Sequence, residues 1–89
     1  RVRAVYSIGD AEAEIIEAQV MSPSPIADKR IRDIEFPEGV LVGAIKKGDK
    51  VIKPNASTKI EEGDIIALFC MAQDVPEVER LLQVSIDFF

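Results

Sequence analysis

The sequence predicts an α+β fold: a small mixed or antiparallel sheet with two helices, in the order β-β-α-β-β-β-α-β. Three observations predict it. Short runs alternate apolar and polar residues, as half-buried strands do. Glycine-aspartate pairs at Gly9-Asp10, Gly48-Asp49 and Gly63-Asp64 separate them, which is turn chemistry. Two segments led by Pro25 and Pro76 instead space their apolar residues as a helix does. Antiparallel hairpins with helices to one side favour α+β over a doubly wound sheet.

Residues 1–8 place Val2, Ala4, Tyr6 and Ile8 on one face of a first strand that the Gly9-Asp10 turn ends. Residues 13–21 form a second strand with Ile16, Ala18 and Val20 on one side and Ile15, Glu17 and Gln19 on the other. Both sides carry an isoleucine, so cover is expected on each. Ser22-Pro23-Ser24-Pro25 stops that strand, because proline lacks the ladder donor, and Ser24 before Pro25 suits a helix start. The helix that follows has Ala27, Ile31 and Ile34 on one face, and Phe36-Pro37-Glu38-Gly39 closes it. Residues 40–46 and 50–53 are short strands joined by the Lys47-Gly48-Asp49 hairpin turn. Residues 65–71 are almost continuously apolar, as a central strand buried on both faces would be. Asp74-Val75-Pro76-Glu77 reads as a capping box opening a helix with Val78, Leu81 and Leu82 inward. Val84, Ile86 and Phe88 alternate as a terminal strand.

Eighty-nine residues without linker, repeat or low-complexity tract predict a single domain over 1–89. A chain this short buries only about 60% of its unfolded surface, which makes association an expected source of stability. It starts at Arg1, without methionine, directly in a strand-like run, so a C-terminal piece of a longer chain is expected. Eleven bases against 16 acids, net −5, argue against nucleic acid, whose phosphates need a basic face. The absence of histidine removes the commonest general base and metal ligand, so neither a hydrolytic triad nor a zinc site is expected. Cys70, the only cysteine, lies in the central apolar run and reads as an inert core thiol, weakly favouring a reducing compartment. No apolar run approaches the roughly 20 residues of a membrane span.

Few residues invite chemistry. Glu12, Glu14 and Glu17 alternate across a strand and read as a solvated edge. Arg30, Arg32, Lys46 and Lys47 are the candidates for an anion site. Lys50, at a hairpin, has the place of a carrier-domain acceptor lysine, although carrier domains are all-β. A carrier or small-anion module attached to a metabolic enzyme is therefore the alternative reading. The glycines sit at turns and form no dinucleotide or phosphate-loop pattern, so no cofactor site is expected in this chain.

Glu14-Ile15-Ile16-Glu17-Ala18, Ser24 through the Lys29-Arg30-Ile31-Arg32-Asp33-Ile34 run, Phe36-Pro37-Glu38-Gly39-Val40, Val51-Ile52-Lys53-Pro54 and Thr58-Lys59-Ile60-Glu61-Glu62-Gly63-Asp64 form an ordered series. It resembles the RCK C-terminal domain, also called TrkA-C, over about residues 13–83. Residues 1–9 and 83–89 resemble the ends of the C-terminal copy of this domain in potassium-uptake regulatory subunits. The resemblance implies a TrkA-C-like fold and a cytoplasmic, non-enzymatic regulatory part. It further implies a homodimer, in a ring held at the inner membrane face by a membrane potassium-translocating subunit. It implies NAD(H) or ATP only in Rossmann-type N-domains that this chain lacks. In some members the paired C-domains bind cyclic di-AMP; here Asn55-Ala56-Ser57 stands where Gly-Asp commonly precedes the threonine. Ile15, Ile26, Ala27 and Ile31 are the interface candidates, with plain core as their alternative.

Overall fold

The computed structural model describes residues 1–84. Five strands form one fully antiparallel sheet: β1 (Val2–Ile8), β2 (Ala13–Gln19), β4 (Leu41–Lys47), β5 (Lys50–Ile52) and β7 (Ile65–Met71), in the spatial order β1-β2-β7-β4-β5. Two short strands, β3 (Lys29–Arg30) and β6 (Lys59–Ile60), pair separately. The chain's one α-helix among the described residues, α1 (Val75–Leu82), follows β7 through a 3-10 turn at Ala72–Asp74.

The alternation of β7 decides the layers. Ile66, Leu68 and Cys70 face inward and are buried, and through the register they stand beside Ala18, Ile16 and Ile45 of the neighbouring strands. Val78, Leu81 and Leu82 of α1 complete this core together with Val20, Ile26 and Ile60. Burying one such aliphatic side chain contributes about 1.5–3 kcal/mol before its ordering cost. Ile65, Ala67 and Phe69 point the other way and are only half-buried. The expectation that β7 is covered on both faces thus holds within this chain for the inner face alone.

Three details depart from the sequence reading. The helix expected over residues 25–34 is absent: the segment is a series of turns, then β3 and a 3-10 turn at Ile31–Asp33. Its amides donate to the 56–60 segment instead of up a helix: Asp28 to the Ile60 carbonyl at 2.7 Å, Ile31 to Thr58 at 3.0 Å and Arg32 to Ala56 at 3.0 Å. Asp28 also takes φ +64, a left-handed conformation that no helix interior allows. Asp74 makes no side-chain cap, so the capping box does not form; Glu77 pairs with Arg80 one turn on. A register shift between Val2 and Ala4 bulges β1 at Arg3, placing Val2 with Val5 against the core while Ala4, Tyr6 and Ile8 face outward. The terminal strand expected over 84–88 falls, apart from Val84, outside the described residues.

Candidate functional site

Two surfaces can receive another molecule. The first is an apolar cleft of about 250 Å³ with walls from Ile31, Phe36, Val40, Leu41, Pro54 and Ala56. Its rim is built by the 55–58 loop, where the Asn55 carboxamide oxygen accepts the Ser57 amide at 2.8 Å and the Asn55 amide donates to Thr58 Oγ1 at 3.0 Å. That folded loop holds both arginines that flank Ile31. Arg30 Nη1 donates to the Ser57 carbonyl at 2.6 Å and Arg32 Nη1 to Ser57 Oγ at 3.0 Å. The two exposed arginines do not line the recess but adjoin it through Ile31 and the 55–58 loop, so a ligand with a flat apolar part and a negative group could reach both.

The second surface is the outer face of the sheet. A recess of about 170 Å³ there is lined by Arg3, Glu17, Ala44, Lys46, Val51 and Ala67. Arg3 Nε donates to Glu17 Oε2 at 3.2 Å, an exposed pair of small energetic weight. Tyr6, Ile15 and Leu41 lie on the same face with 61%, 38% and 64% of their surface open.

The four anion candidates therefore divide. Arg30 and Arg32 are joined through Ser57, and Lys46 belongs to the outer sheet face. Lys47 is committed: its Nζ donates to Asp64 Oδ2 at 2.5 Å and to Glu61 Oε1 at 3.0 Å, while Asp64 Oδ2 also accepts the Glu61 amide at 2.8 Å. Burial alone would lower the Lys47 ammonium, but its hydrogen bonds to Asp64 and Glu61 and their charges outweigh that and raise it. The same ammonium holds the Glu61 carboxyl below its usual range. This trio closes the turn before β7.

Of the interface candidates, Ile15 is on the open sheet face and Ile31 in the cleft wall, Ala27 is half-buried, and Ile26 is wholly buried in the core. Ile26 is thus core in the single chain and has no surface to offer a partner. Lys50 is exposed at the start of β5, across from Lys47 in the hairpin. Cys70 is buried, and burial first, then Glu14 and Asp74 nearby, pushes its thiol up to about 11, which suits an inert core thiol. Glu14 shares the inner face with Cys70 and Glu17 the outer face with Arg3, so these acids do not converge. Among the described residues no group of acids or cysteine is placed to hold a metal ion, and no helix is long and apolar enough to cross a membrane. Ser57, which organises both arginines, is not among the candidates that the sequence singles out; the Asn55-x-Ser57-Thr58 pattern of local side-chain bonding is the available signal.

An antiparallel sheet with a turn-built flank, one closing helix and no catalytic constellation among the described residues is the setting in which the sequence relationship acquires meaning. The chain belongs to the TrkA-C domain family, whose model matches residues 15–83. Among individual proteins, it is 36% identical over all of its 89 residues to the Trk system potassium uptake protein TrkA of Azorhizobium caulinodans, covering 19% of that protein. It is 37% identical to TrkA of Haemophilus influenzae over 82 residues, 90% of this chain and 18% of that one. It is 32% identical to the Trk system potassium uptake protein TrkA homolog 1 of Methanosarcina mazei over 79 residues, 89% of this chain and 18% of that protein. The chain thus spans roughly a fifth of the length of the curated relatives it matches.

Proposed function

We propose that this chain is a non-enzymatic regulatory and dimerisation domain of a potassium uptake system, acting at the cytoplasmic side through a membrane translocating subunit. The observation that carries the reading is the end-to-end match to a Trk system potassium uptake protein at 36% identity. In this reading NAD(H) or ATP is bound by other parts of the full-length protein, and the domain adds coupling. A ligand shifts a conformational equilibrium only through different affinities for its two states. The cleft beside Arg30 and Arg32 is the surface in this chain where such a difference would arise, since it joins apolar walls to paired positive charge.

The test is deletion of the codons for these 89 residues from the parent gene in a strain with no other potassium uptake. Rubidium influx is then measured across external potassium concentrations, with a wild-type and a null control. Protein remaining at normal abundance, with influx that no longer responds to potassium status, is the expected result. Influx and response indistinguishable from wild type would overturn the regulatory reading.

A further inference from the structure

We propose that the face of the five-stranded sheet left open by the described residues is the seat of a second copy of this chain, the two sheets packing face to face about a two-fold axis that runs across the strands. The inference rests on the dimerisation part of the reading above and gives it a surface and an orientation.

The register lays the outer face out in rows. Tyr6, Ile15, Phe69 and Leu41 stand side by side across β1, β2, β7 and β4 and form a ridge of large apolar side chains. The next row along the strands is Ala4, Glu17, Ala67 and Ala44, three of whose four members are alanine, and its last three members line the outer recess. Bulges at Arg3 and Gly43, one on each side, keep this row in line although the strands shift register there. A two-fold axis between the two rows turns each ridge onto the alanine row of the other copy. The same rotation brings the end bearing Ile8 and Met71 over the end bearing Ile65 and Val51.

Charge follows the same symmetry. At the ridge end lie the exposed acids Asp10 and Glu12, in the turn joining β1 to β2, and Glu38, in the loop entering β4. At the opposite end lie Arg3 on β1 and Lys46 on β4. Rotation about an axis across the strands keeps each strand above its own counterpart, so Glu12 approaches the Arg3 end and Glu38 approaches Lys46. Lys46 forms no ion pair among the described residues. A parallel arrangement would instead set ridge on ridge and acid on acid. Five strands about 4.8 Å apart and seven residues of about 3.3 Å give a face on the order of 500 Å² in projection. Side-chain relief raises the accessible area toward the roughly 800 Å² per partner of a standard complex.

Sedimentation equilibrium of the 89-residue chain tests this, with circular dichroism to confirm folding. The wild type is expected to dimerise. Ile15→Lys, and Tyr6→Lys at a more exposed position, should each weaken dimerisation at least tenfold. Ile31→Lys, in the cleft, should leave it unchanged. Lys46→Glu should weaken it severalfold, and Glu38→Lys in the same chain should restore it. A wild-type dimer broken by Ile31→Lys and untouched by Ile15→Lys and Tyr6→Lys would overturn this surface while leaving dimerisation standing. A dimer sensitive to Ile15 but not restored by the charge exchange would overturn the orientation. A monomer at all concentrations would overturn the dimer altogether, and the potassium-uptake experiment would still decide the regulatory reading on its own.

Discussion

At the scale of single residues, Lys47 has the clearest consequence. Among the described residues its ammonium is the one cation on the buried Asp64 carboxylate, which also ties down the Glu61 amide. Lys47→Met should cost about 1–3 kcal/mol in urea unfolding, because the acceptor loses a charge-assisted partner where water cannot fully replace it. The pH dependence has a definite sign. The Lys47 ammonium is raised above its ordinary 10.5 in the folded chain, so its contribution is present below that pH and lost as pH climbs beyond it. Cys70 acts in the same direction: burial raises its thiol from 9.0 to about 11, so the unfolded chain releases that proton first and stability declines between those values. Unfolding free energy should therefore fall from pH 9 upward, and Cys70→Val should remove the earlier part of the decline. A flat profile to pH 11 would contradict both assignments. The sequence disclosed Cys70 as core from its apolar neighbours. It could not disclose that Lys47 differs from Lys46, since their partners come from a turn more than ten residues away.

At the scale of elements, the segment over 24–34 shows where local pattern and tertiary structure part. Ser24, Pro25, Ala27, Ile31 and Ile34 carry a helix signature, yet the hydrogen bonds to the 56–60 segment and the wholly buried Ile26 win. A stretch this short gains too little from its own hydrogen bonds to resist such competition. Ser24 has a different task from the helix cap its sequence suggests. Its hydroxyl donates to the Leu81 carbonyl at 2.5 Å and accepts the Ile26 amide at 3.3 Å, so it ties the turn segment to the last turn of α1. Helix ends leave carbonyls without intrahelical partners, and here the partner comes from 57 residues earlier in the chain. Ser24→Ala should cost about 1–2 kcal/mol in urea unfolding, with Ser24→Thr restoring part of it. An unchanged midpoint would show that the bond contributes nothing net. The strands, in contrast, were legible, because a period of two survives any tertiary context that buries one face. The bulges at Arg3 and Gly43 were not, since one added residue leaves no compositional mark.

At the scale of the whole molecule, the sequence carried the fold class and the family, because both reside in the order of strands and turns. The candidate surfaces were less legible. Ile15 and Ile31 point to different surfaces, and only the register reveals that Ile15 shares a row with Tyr6, Phe69 and Leu41. The expectation that β2 and β7 would be covered on both sides is met inside the chain on one side, and the second copy proposed above is what would meet it on the other. The strand order has a further consequence for how the protein is made. β7, the last strand of the sheet in sequence among the described residues, lies at its centre, and β2 and β4 each reach the other only through it. On a ribosome adding about 5–20 residues per second, the first 60 residues emerge with hairpins but no continuous sheet. Folding waits for the strand that locks both halves, and a nascent chain stalled before residue 65 should be digested by protease, whereas one extended past α1 should resist it.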